Sequence, residues 1–123
     1  MEISKQCCSL EQAKRLKELG VKQDSIAVWF NSSVGLCLLY RTSDFTFENE
    51  WAAFTVAELG EMLPHSPLPN TGNSWNWYHR YCWKGHSVGY TAYGQEPIQQ
   101  DWFATEAQAR AAMLIYLLEN KLI

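Results

Sequence analysis

Three residues in the second half of the chain stand at a spacing that suits metal ligation: His79, Cys82 and His86. Imidazole and thiolate are the usual zinc donors, and a structural zinc site needs four of them converging. Spacing alone does not make them converge. If residues 75–83 form a straight strand, successive side chains leave opposite faces, so His79 and Cys82 point apart. The adjacent pair Cys7-Cys8 does not easily give two ligands to one site. The sequence therefore predicts no metal ligands and no cofactor. Its three histidines read as unrelated and its four cysteines as ordinary thiols.

Catalysis finds no better footing. A nucleophile needs an adjacent base and an orienting group, and no local signature places Cys82 in such an arrangement. The carboxylate pairs Glu48 with Glu50 and Glu58 with Glu61 have the types needed for acid–base work, but such pairs are usually a solvated face. Gly85, Gly89 and Gly94 are isolated in a strand-and-turn context and make no phosphate-cradling loop. No catalytic residue is assigned, and the chain reads as a non-enzyme.

Binding is the chemistry the residues favour. Between Trp75 and Tyr93 lie seven aromatic rings together with His79, Arg80, Lys84 and His86, and no acid. Strand alternation puts Trp75, Trp77, His79, Tyr81 and Trp83 on one face, with Asn76, Tyr78, Arg80, Cys82 and Lys84 on the other. The first face suits packing against helices, with Trp77 and Tyr81 largely buried; the second suits water or a partner. Trp, Tyr and Arg are the usual anchors of protein interfaces, and exposed rings also stack on bases. The candidate binding residues are Arg80, Lys84, Tyr78, His86 and Trp75.

The net charge of −3 argues against non-specific nucleic-acid binding, which relies on clustered Lys and Arg. No Lys or Arg falls between Thr42 and His79, whereas Asp44, Glu48, Glu50, Glu58 and Glu61 do. No apolar run approaches the roughly 18 residues that suggest a membrane span, and Met1-Glu2 opens no signal pattern. The expected compartment is the cytoplasm, where thiols stay reduced.

Three helices are needed to position these groups. Ser9 with Gln12, Thr55 with Glu58 and Thr105 with Gln108 have capping-box spacing, and Gly20 and Pro64 supply stops. The last helix, running to about Asn120, is apolar almost all round over residues 111–118, which calls for cover on more than one side and leaves a homodimer through the 105–120 helix open. Strands are expected at Ile26–Phe30 and Leu36–Arg41, at Trp75–Trp83 and Val88–Tyr93 across a turn at 84–87, and near Ile98–Phe103. Residues 64–74, rich in Pro, Asn and Gly, read as an exposed loop. A chain of 123 residues makes one globular domain. The expected class is α+β: an antiparallel sheet of two hairpins, about four to five strands, packed with three helices as a two-layer sandwich.

The segments SLEQAKRLKELG (Ser9–Gly20), AFTVAELGEMLP (Ala53–Pro64) and TEAQARAAMLIYLLENKLI (Thr105–Ile123) resemble small uncharacterised proteins of phages, prophages and mobile elements of Bacteroides-type bacteria. The likeness covers the helices and their caps. It implies a bacterial cytoplasmic setting and an accessory role in a mobile element. That family has no established activity, so no functional residue carries over. The functional expectation is an accessory protein that binds another macromolecule, another protein foremost, through the 75–93 hairpin; the alternative is a small-ligand or nucleotide module using the same aromatics and Arg80.

Overall fold

The computed structural model describes residues 3–32, 35–41, 50–64, 75–99 and 101–123. The fold is α+β. In chain order the elements are α1 (Ile3–Gln6), α2 (Leu10–Glu18), β1 (Ala27–Ser32), β2 (Gly35–Tyr40), β3 (Glu50–Ala52), α3 (Val56–Met62), β4 (Asn76–Cys82), β5 (Gly85–Thr91), β6 (Ile98–Gln99) and α4 (Glu106–Glu119). No helix among the described residues is long and apolar enough to cross a membrane. The loop expected over 64–74 lies, apart from Pro64, outside the described residues.

Helix starts follow the caps. Ser9 Oγ accepts from the Gln12 amide at 3.2 Å while Gln12 Oε1 accepts from the Ser9 amide at 3.1 Å, and Thr55 with Glu58 makes the same reciprocal pair. Thr105 caps α4 through the Gln108 amide. Each box satisfies amides that the first helical turn leaves without partners. Gly20, at φ 87°, takes the left-handed turn that ends α2.

The strands depart from the expected single sheet. Among the described residues the two hairpins do not pair with each other; each recruits a short third strand, giving the orders β2-β1-β3 and β4-β5-β6, all antiparallel. The second hairpin also turns earlier than its sequence suggests. Cys82 pairs with Gly85, so the turn is Trp83-Lys84 and His86 lies inside β5 instead of in the loop. Gly85 makes this possible with φ 116°, a conformation that disfavours any side chain.

The core forms where α4 meets β5, α3 and α2. Leu16, Phe54, Leu59, Val88, Tyr90, Met113 and Leu117 are all fully buried there. Cover from several elements of the same chain explains why α4 is apolar nearly all round. A smaller cluster of Cys7, Ala27 and Ala53 ties the first sheet to the N-terminal segment.

Candidate functional site

The β4–β5 register decides which side chains meet. Trp77 pairs with Tyr90, His79 with Val88 and Tyr81 with His86, and directly opposed residues of an antiparallel pair share a face. That face looks toward α4. Arg110 spans α4 and β4: its guanidinium lies 5.0 Å from the Trp77 ring centre, donates to the Val56 carbonyl at 3.0 Å and holds Glu106 Oε2 at 2.6 Å. Gly60 leaves the space this side chain fills. One helical turn back, at the start of α4, Glu106 Oε1 stands 3.5 Å from His79 Nδ1.

His79 continues the chain of polar groups. Its Nε2 is 3.0 Å from His86 Nδ1. The two rings are parallel within 2°, with centroids 5.2 Å apart. That separation exceeds the nitrogen–nitrogen distance by about the radii of both rings, so they meet edge to edge and one N–H bridges them. The Tyr81 ring tilts over His86 at 4.6 Å. Burial, and then the neighbouring His79, hold the His86 pKa below its ordinary value, with Glu106 opposing.

The backbone fixes this cluster. His86 and Phe103 exchange two hydrogen bonds of 2.8 Å, an isolated antiparallel bridge. It fastens β5 to the segment that runs directly into Thr105 and Glu106. A Cβ on Gly85 would lie 2.3 Å from the Phe103 carbonyl oxygen, so the approach needs glycine there as well as its positive φ. One ligand-type atom from each of His79, His86 and Glu106 lies within 4.8 Å of the other two. Beside them opens a cavity of about 350 Å³ lined by Lys5, Gln6, Val56, His86, Thr105 and Glu106, among others.

The five binding residues expected from sequence are scattered. Trp75 is only 6% exposed and belongs to the core, which corrects its place among surface binders: it enters β4 on the face that α4 covers. Tyr78 is half-buried on the opposite face, where it covers Gly89 and carries Arg80 at 4.7 Å from its ring centre. Arg80 and Lys84 are exposed, and Lys84 Nζ sits 5.5 Å from the Trp83 ring centre. His86 is half-buried in the cluster just described. Tyr81, expected to be largely buried with Trp77, is 74% exposed, and Trp83 is 90% exposed. The reason is the length of α4: the helix begins opposite His79, and nothing in it covers the strand beyond.

Both histidines of the cluster were named from the sequence, but their contact was missed, and so was Glu106. Reading the turn at 84–87 put His86 in a loop and made the histidines look unrelated; a turn at Trp83-Lys84 makes His79 and His86 diagonal neighbours on one face. Cys82 does point away from His79, as alternation requires. Glu106 carries no local signal, because its approach depends on the Phe103 bridge. No family model, curated protein or solved structure matches this chain.

Proposed function

We propose that the chain acts by binding another protein, as an accessory component of a phage or mobile element, with the tip of the β4–β5 hairpin as its contact. The observation that carries this reading is the exposure of Tyr81 and Trp83 beside Arg80 and Lys84. Large rings left in water cost solvation that a partner recovers, and Trp, Tyr and Arg are the residues that dominate interface energetics. The patch sits at a two-residue turn with its rings exposed, an arrangement that suits insertion into a partner's groove more than enclosure of a small molecule. The small-ligand alternative has less support. Three cavities among the described residues, of about 360, 670 and 350 Å³, are lined by neither a tryptophan nor Arg80.

A photoreactive residue placed at position 83 tests the reading in the source cells, with position 11 on the exposed face of α2 as control. One discrete protein adduct from position 83 and none from position 11 is expected. Identical adducts from both positions, or nucleic acid alone, would overturn it.

A further inference from the structure

The geometry points to His79, His86 and Glu106 as a site for one divalent transition-metal ion of the zinc class, held by two imidazoles and one carboxylate with an open position toward the adjoining cavity. This site adjoins the hairpin tip, where Tyr81 lies over His86, but does not depend on the tip's role.

The donors come from three elements, β4, β5 and α4, and still approach within 4.8 Å of one another. Two nitrogens and one oxygen form a borderline donor set. It suits Zn²⁺ or Cu²⁺ and not the all-oxygen shells of Ca²⁺ and Mg²⁺. Three protein ligands with an open fourth position are the pattern of reactive zinc sites, whereas structural sites are closed by four.

In the ion-free geometry the two imidazole nitrogens are already near ligation spacing, and the carboxylate is the group that moves furthest. With one proton between them, His79 Nε2 and His86 Nδ1 stand 3.0 Å apart. Two imidazoles on a tetrahedral ion at a Zn–N distance of about 2.0 Å have their nitrogens about 3.3 Å apart. Modest ring rotation closes the difference. His86 exchanges its Nδ1–H tautomer for Nε2–H, which frees both lone pairs with no net gain or loss of protons. Glu106 Oε1 faces the Nδ1 edge of His79 at 3.5 Å, so to reach an ion on Nε2 the carboxylate gives up that contact and swings toward His86 while Arg110 holds Oε2. The adjustments are confined to side chains, because the Phe103 bridge already sets the backbone of His86 against the start of α4. Lys5 and Thr105 on the cavity wall favour water or a small anion as the fourth ligand.

The test is zinc titration of the full chain after chelator treatment. Calorimetry should find one ion per chain. Histidine ring-nitrogen NMR on the unaltered chain should show His79 and His86 shifting together while His65 stays in place. His79→Ala and His86→Ala should each weaken binding at least 100-fold, and Glu106→Gln by about 10–100-fold. Cys37→Ser and Cys82→Ser should leave it unchanged, which separates this site from adventitious thiol binding. Circular dichroism of each variant reports whether it folds, and the NMR experiment stands without any variant. Zinc that shifts neither ring, or shifts His65 alone, would overturn the proposal. So would binding that survives in folded His79→Ala and His86→Ala chains, leaving the pair as a plain N–H···N contact.

Discussion

The two hairpins are built alike and buried differently. Each begins its second strand with a glycine at positive φ, Gly35 at 120° and Gly85 at 116°, and each gains one short flanking strand. Yet the edge strand β2 has no buried residue, with Leu36, Leu39 and Tyr40 all exposed, and its central partner β1 buries only Ala27 and Val28, whereas the central strand β5 is buried without interruption from Ser87 to Tyr90. The difference lies in strand position, β2 being at an edge and β5 at the centre, and in what covers the strands. α4 packs along β5, while among the described residues the main helical neighbour of β2 is the four-residue α1. A hairpin's sequence therefore sets its register, and strand position with the helix across it sets its burial. Only the covered hairpin can hold a His–His–Glu cluster partly away from water, where hydrogen bonds and charges act more strongly.

The contrast is broken most severely from the helix. Leu117→Ala should cost about 2–5 kcal/mol, since it opens a cavity in a fully buried cluster; Leu39→Ala on β2 should stay within about 0.5 kcal/mol. Chemical denaturation of both variants checks this, and equal losses would remove the asymmetry. The two glycines give a finer comparison. Alanine at either must adopt a strained backbone, which costs about 1–3 kcal/mol, but only Gly85→Ala also collides with the Phe103 carbonyl. Gly85→Ala should therefore melt well below Gly35→Ala.

A third prediction concerns pH. The Tyr90 hydroxyl is buried and donates to the Pro64 carbonyl, and burial raises its pKa well above the ordinary 10.0. The unfolded chain then loses this proton first as the solution becomes alkaline. The contribution is fully present below pH 10 and is lost progressively as the pH rises beyond it. Burial pushes the thiols of Cys7 and Cys8 up as well, to about 11 and about 12, adding loss of the same sign. Tyr90→Phe should cost about 0.5–1.5 kcal/mol at neutral pH and flatten the alkaline fall in stability measured by denaturation at several pH values. The smallest effect belongs to the hairpin tip. Trp83→Ala should change stability by no more than about 0.5 kcal/mol, because its ring has almost no intramolecular cover; a larger loss in a thermal melt would mean that the tip packs.

Legibility from sequence followed the range of the forces involved. Caps act within four residues, so Ser9, Thr55 and Thr105 place their helices directly. Strand alternation is also local, and it put Trp75 and Trp77 toward a helix and Arg80 toward water. What depended on a distant element was lost. The exposure of Tyr81 is set by where α4 starts, and the third strand β3 is too short to announce itself by pattern, whereas β6 falls at the start of the strand expected near Ile98–Phe103. The cluster combined both kinds of failure: a turn misplaced by two residues hid His79 from His86, and a backbone bridge to Phe103 brought up Glu106.

That bridge constrains how the gene can vary. Only Ala104 and Thr105 separate the anchored Phe103 from Glu106. Inserting or deleting one residue in that link would turn the helix start by about 100° and carry the carboxylate off the histidine face. The exposed bend at 93–97, which joins β5 to β6, answers to no such anchor, and length changes there would leave the face intact. Among natural variants of this chain, indels should therefore gather at 93–97 and avoid 103–106.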